Sequence, residues 1–235
     1  ATGKPVVLVL LDGRAATINW ANQYVPAIVH GWFPGEFTGT AVAKVLFGDY
    51  NPGGKLAVTF PKSVGQIPYA FPFKPGADSK GPVRVDGALY PFGYGLSYTT
   101  FAYSDFHISK PVIGIQGETE VSCKVRNTGQ REGDEIVQLY IRDDVSSVTT
   151  YQKSLRGFER IHLKAGEETT VRFTLTPRDL SLWNKHDEFV VEPGTFTIMV
   201  GRSSEDICLH GKLTVDAYHA SSEDKPAAKA DLLGY

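Results

Sequence analysis

The spacing of hydrophobic positions changes near residue 90. Before it, apolar runs alternate with stretches of helical period. Val6–Leu11 is an unbroken apolar run, the pattern of a strand covered on both faces, and Asp12, Gly13 and Arg14 end it. A helix is predicted from about Ala16 to Asn22, and a second short buried strand at Ala27, Ile28 and Val29. Gly35–Phe47 reads as an amphipathic helix, with Phe37, Ala41 and Val45 four apart and Val42 and Leu46 beside them. Gly48 is placed to terminate it. The turn Asn51-Pro52-Gly53-Gly54 leads into a third predicted strand, Lys55–Phe60. A doubly wound sheet usually has about five or six strands, more than this segment supplies. Its opening strand needs neighbours on both sides, so polypeptide preceding residue 3 is expected to complete the layer.

After residue 100 the period becomes two. Val121, Cys123 and Val125 alternate with Ser122, Lys124 and Arg126, and Val171, Phe173 and Leu175 alternate with Arg172 and Thr174. Strands are predicted at residues 101–108, 119–127, 135–142, 154–161, 169–176, 188–191, 195–201 and 207–215. Turns such as Asn127-Thr128-Gly129, Lys164-Ala165-Gly166-Glu167 and Glu192-Pro193-Gly194 separate them. Short strands at this spacing predict an antiparallel sandwich of immunoglobulin or fibronectin type III shape. The fold class is therefore an α/β fragment, a partial α/β/α sandwich, followed by an all-β immunoglobulin/fibronectin type III-like sandwich. The expected divisions are 1–90, 91–216 and a polar tail, 217–235.

Composition narrows the function classes. Of 235 residues, 42% are apolar and 21% charged, with a net charge of −2. Such a balance gives no reason to expect nucleic acid or an anionic membrane as a partner. Cys123 and Cys208 are too few for a structural zinc site, which needs about four N or S ligands. They are expected to be buried thiols behaving as small hydrophobes, with a disulfide between them as the alternative. The six histidines show no metal-ligand spacing, and no Gly-x-Ser-x-Gly elbow is present. Asn51-Pro52-Gly53-Gly54 is no phosphate loop, because a strand rather than a helix is predicted after it.

Several ordered segments resemble glycoside hydrolase family 3. They are Gly3–Leu10, Trp32-Phe33-Pro34-Gly35-Glu36-Phe37-Thr38-Gly39, and Leu46–Leu56 followed by Thr59-Phe60-Pro61. Tyr90–Phe101, Asn127-Thr128-Gly129 and Leu155-Arg156-Gly157-Phe158 continue the series. The resemblance covers residues 3–215. It implies a parent enzyme of β-glucosidase type, a retaining hydrolase of terminal β-linked glucose or a related sugar such as xylose, with no cofactor. In such a mechanism an Asp attacks the anomeric carbon and a Glu protonates the leaving oxygen, the two carboxyls being about 5 Å apart. By the resemblance both carboxylates lie upstream, so no catalytic residue is assigned in this chain, and the chain alone is expected to be inactive. Its partners would be the β-glucoside or oligosaccharide substrate of the parent and the upstream barrel and α/β portion. The resemblance also implies a secreted or periplasmic parent. The rival reading is a non-catalytic module that binds glycan or protein through the sandwich. A partial doubly wound layer has no place in such a module.

The candidate substrate-adjacent residues are Asp12, Trp32 and Glu36. If the strands run parallel, Asp12 and His30-Gly31-Trp32 emerge at one edge, where ligands bind in open α/β sheets. Each has a structural alternative: Glu36 supports the positive end of its helix, and Trp32 packs under the domain interface. Tyr90, Phe92, Tyr94, Tyr98 and Phe101 are expected to fix the angle between the modules rather than to stack on sugar. Phe71–Gly87, with Lys74, Asp78, Lys80 and Arg84, reads as a surface loop, for which the resemblance implies reach toward the pocket rim as the alternative. Trp183 reads as a core residue of the sandwich, with carbohydrate binding as the alternative if it is exposed.

Overall fold

In the computed structural model, residues 3–66, 69–77 and 86–217 are described. The expectations for the tail beyond residue 217, and for Asp78, Lys80 and Arg84, lie outside them.

The first module opens with β1 (Val7–Leu10), α1 (Asn19–Tyr24), β2 (Ala27–His30) and α2 (Thr38–Phe47). β1 and β2 pair in parallel, Leu10 opposite His30, as a two-stranded sheet. α1 lies later than the predicted span and stops at Tyr24, because Val25 precedes Pro26 and takes the extended backbone that proline imposes on its neighbour. α2 starts at Thr38 rather than Gly35, since Gly35 has a left-handed φ of 77° that no helix continues through. It ends at Gly48, also left-handed, whose N–H bonds to the Val45 carbonyl. The predicted strand Lys55–Phe60 does not form. This segment runs beside Leu89–Tyr94 and is joined to it by bonds at Leu56 and Phe60, and the only bridge there pairs Phe60 with Tyr90. Pairing at two separated points gives a ribbon and no continuous ladder.

The second module is the predicted sandwich. One sheet has the order β4 (Val112–Gly114), β12 (Ile207–Asp216), β11 (Gly194–Gly201), β6 (Gly133–Asp143), β7 (Ser154–Leu163). The other has β3 (Phe101–Ile108), β5 (Thr119–Asn127), β8 (Glu168–Leu175). Leu182–Trp183 (β9) and Phe189–Val190 (β10) form a small hairpin after a short helix, α3 (Pro177–Leu180). The core lies between the sheets and contains Val121, Cys123, Val125, Leu139, Val171, Leu175, Ile198 and Leu213. Cys123 and Cys208 are free thiols, Cys123 buried and Cys208 half-buried, and burial pushes the Cys123 thiol up to about 11. Trp183 is no core residue: it is 58% exposed and rests against Phe189 in the hairpin. With only two paired residues on each strand, that hairpin has no second layer over its tryptophan.

In β6 the simple alternation fails. Val137, Leu139 and Ile141 face the core, yet Gln138 and Tyr140 between them are buried too. Their face is covered by the first module and its linker. Phe71 stacks on Phe92, with centroids 4.4 Å apart, and meets Tyr140 edge-on. Gln138 donates through Nε2 to the Gly93 and Arg202 carbonyls. Gly93 has a φ of 80°, and a Cβ there would sit 2.0 Å from Gln138 Oε1, so glycine is required where the linker crosses.

Candidate functional site

The site is built where β1 and β2 end. Parallel pairing brings the residues after both strands to the same edge, and the Gly31 N–H bonds to the Leu10 carbonyl at 2.8 Å. Asp12 then lies 3.1 Å from His30, Oδ1 to Nε2. Because a carboxylate only accepts, Nε2 carries the proton in this contact and Nδ1 of a neutral ring is left as an acceptor. Nδ1 is buried and has no partner among the described residues. The Arg14 N–H also donates to Asp12 Oδ1, at 3.2 Å. These two contacts, the backbone amide first, hold the Asp12 carboxyl below the ordinary carboxylate range.

Trp32 adopts a left-handed backbone, φ 54°, uncommon for a bulky side chain. That turn sets its ring against His30, centroids 4.2 Å apart, edge to face. Phe60, fully buried, contacts both His30 and Trp32. Tyr90 meets Phe60 edge-on, and its hydroxyl donates to Asn22 Oδ1 at 2.7 Å. Two glycines let the loops approach: a Cβ at Gly13 would meet the Phe33 ring at 2.4 Å, and one at Gly31 would meet Leu11 at 2.8 Å.

Of the sequence candidates, Asp12 and Trp32 are brought together through His30. Glu36 is exposed and makes no hydrogen bond or ion pair among the described residues. It stands outside the first turn of α2, with Phe37 as the capping residue, so it is not the helix-supporting carboxylate expected. His30 was not among the candidates. The signal that reveals it is the strand register, which places it opposite Leu10, two residues before Asp12. Chemically the cluster offers an anion fixed to an imidazole and a flanking indole face. Asp12 is paired with an imidazole and not with a second carboxyl, so it is no two-carboxylate hydrolytic centre.

The segment after α2 and the linker are held against the sandwich by a polar seam. Lys55 reaches Glu135 Oε1 at 3.4 Å, both side chains buried, and also donates to the Gly95 carbonyl at 3.2 Å. Tyr103 donates to the same Glu135 oxygen at 3.0 Å. Asn51 accepts the Tyr98 N–H at 2.8 Å, and the Tyr98 hydroxyl donates to the Val45 carbonyl at 2.7 Å. The aromatic linker thus ties helix, loop and sandwich together.

Comparison with known proteins agrees with this architecture. Residues 1–98 match the glycosyl hydrolase family 3 C-terminal domain, and residues 135–204 match a fibronectin type III-like domain. A β-xylosidase from Formosa agariphila is 49% identical over 208 residues, 87% of this chain and 29% of that protein. A periplasmic β-glucosidase from Salmonella typhimurium is 45% identical over 215 residues, 87% of this chain and 28% of that protein. In solved structures, a β-glucosidase from Erythrobacter marinus superposes with a TM-score of 0.85 at 40% identity, covering 89% of this chain and 28% of that one. A β-glucosidase from Listeria innocua in complex with glucose does so with a TM-score of 0.84 at 33% identity, covering 91% and 31%. The chain therefore spans less than a third of the length of each of these four relatives.

Proposed function

This chain belongs to glycosyl hydrolase family 3, as its C-terminal portion, and from that premise we propose that it completes a retaining β-glycosidase whose two catalytic carboxylates lie on other polypeptide of the same protein. The substrate is a terminal β-linked glucose or xylose, the two sugars named for the relatives. The chain supplies the last part of the α/β layer, residues 1–90, and the sandwich, residues 91–216. By itself it does not hydrolyse glycosides.

One observation carries the assignment: the α/β part leaves its apolar surface bare. Phe33 is 80% exposed, Phe47 83%, Phe37 72% and Trp20 69%, and α2 buries none of its residues. Val6, Val7 and Leu11, at and around β1, are exposed too. So many large apolar side chains left in solvent on one small module mark an interaction surface. Upstream polypeptide of the same layer, adding strands beside β1 and β2, is the covering that a doubly wound sheet calls for. Asp12 and Trp32 then line the rim of the sugar pocket at the carboxyl edge, with Glu36 at the opening of α2 on its outer side.

The test is complementation. This chain and the separately produced upstream portion are assayed with p-nitrophenyl β-glucoside and β-xyloside, apart and mixed. Turnover in the mixture and in neither part alone is the expected result. Turnover by this chain alone, or none from a stable complex of the two, overturns the proposal.

A further inference from the structure

A second concave site lies away from the β1/β2 edge, where the two modules meet. It is a cleft of about 360 Å³ between the loop after α2 and the start of β6. Gly48, Asp49, Tyr50 and Asn51 form one wall, Arg131, Glu132 and Asp134 the other, with Tyr98 and His162 at its ends. This volume lies in the range of small-molecule sites.

The groups in it fall into two sets. One set is committed to structure. The Tyr50 hydroxyl accepts from Arg160 at 2.7 Å, and Asp134 is held by Arg160 and by His162 at 2.7 Å. The other set has no hydrogen bond or ion pair from its side chain among the described residues: the Arg131 guanidinium and the Asp49 carboxylate. Glu132 has only a 3.7 Å contact with His162. The cleft thus offers a planar fork of donors, acceptor-only carboxylates and two half-open phenol faces at Tyr50 and Tyr98. Its carboxylates, Asp49, Glu132 and Asp134, are set against Arg131, Arg160 and His162. Neither an anion nor a cation gains a dominant attraction in such a balance.

A ligand suited to all of these at once presents several hydroxyls, each able to donate and accept, on a ring with apolar C–H faces. We propose that this inter-module cleft binds a neutral saccharide, with Arg131 donating to vicinal hydroxyls, Asp49 and Glu132 accepting from them, and the Tyr50 and Tyr98 rings flanking the sugar. The choice of β-glucoside and β-xyloside rests on the function proposed above; the polyhydroxyl chemistry does not.

The experiment is a titration of this chain with methyl β-glucoside, methyl β-xyloside and inorganic phosphate, followed by amide NMR shifts. Saturable shifts confined to residues 48–51, 98, 131–134 and 162 are expected with a sugar and not with phosphate. Arg131→Gln and Asp49→Asn each replace an exposed, unpaired group, so the fold is retained, and each is expected to weaken sugar binding about tenfold. Absence of saturation, phosphate competing for the same residues, or equal affinity in both variants overturns the proposal. The outcome is independent of turnover. Sugar binding here with no activity in the complementation assay refutes only the hydrolase reading, and activity without sugar binding refutes only this site.

Discussion

Single residues show how much of the sandwich depends on polar groups placed out of reach of water. Asn127 is fully buried and uses its whole amide. Its Nδ2 donates to the Arg131 carbonyl at 2.7 Å and the Leu163 carbonyl at 3.0 Å, while Oδ1 accepts from Thr99 Oγ1 at 2.6 Å and the Gly129 N–H at 3.0 Å. This explains the Asn127-Thr128-Gly129 turn in physical terms: the asparagine joins the end of β5 to the linker and to the end of β7. Asn127→Ala leaves several of these groups buried and unpaired, at about 1–3 kcal/mol each before relaxation. A loss of about 3 kcal/mol in urea denaturation is the expected outcome. His162 provides a pH readout. Its bond to Asp134 raises its pKa above the ordinary histidine value, so its contribution is full below that value and fades as pH rises through the raised one. In Asp134→Asn the His162 titration followed by NMR is expected to move down.

At the scale of elements, the junction of β6 with residues 54–60 and 89–95 decides how the modules sit. Lys55 and Glu135 meet in a buried pair to which Tyr103 adds a third group. Burial holds the Glu135 carboxyl above its ordinary range, against the opposing pull of Lys55. The sign follows: Glu135 contributes most below the unfolded carboxyl's pKa, and its contribution declines as pH rises through the folded value. Lys55→Met removes the compensating cation and is expected to cost about 3–5 kcal/mol near neutral pH. The deficit should shrink at acid pH, because burial favours the protonated carboxyl once the lysine is gone. The double variant Lys55→Met/Glu135→Leu should recover most of the loss. A double-mutant cycle by urea denaturation at both pH values measures each expectation. This junction also accounts for the parts of the pattern that misled. Lys55–Phe60 has a strand's composition, but its neighbour bonds to it at only two points. β6 shows a period-2 sequence, yet burial is continuous across residues 137–141 because a second layer lies on its outer face.

For the molecule as a whole, the contrast is between a closed sandwich and an open α/β part. The sandwich has a continuous core fed by both sheets, whereas β1 and β2 stand as a two-stranded sheet with large apolar side chains in solvent around them. A sheet this small is marginal without further packing. Hydrogen exchange is therefore expected to be fast in residues 7–30 of the isolated chain and slow in β5, β6 and β11. Adding the upstream portion should protect β1 and β2 and quench the fluorescence of a hydrophobic dye bound to this face. Unchanged exchange in a mixture that forms a complex would show that the face is not what the partner covers.

Seven of the eight strands in the two sandwich sheets, all but the short β4, were legible in the order of residues, as were the α2 stop at Gly48 and the incompleteness of the first layer. Local period, turn chemistry and strand count are set by near neighbours along the chain. Other features could be decided only by the fold. The strand register placed His30 beside Asp12, the linker turned Gln138 and Tyr140 inward, the short hairpin left Trp183 in solvent, and two modules together formed the cleft around Arg131. Each of these depends on which distant surfaces meet, and a hydrophobic pattern records that a side chain is to be covered without recording by what.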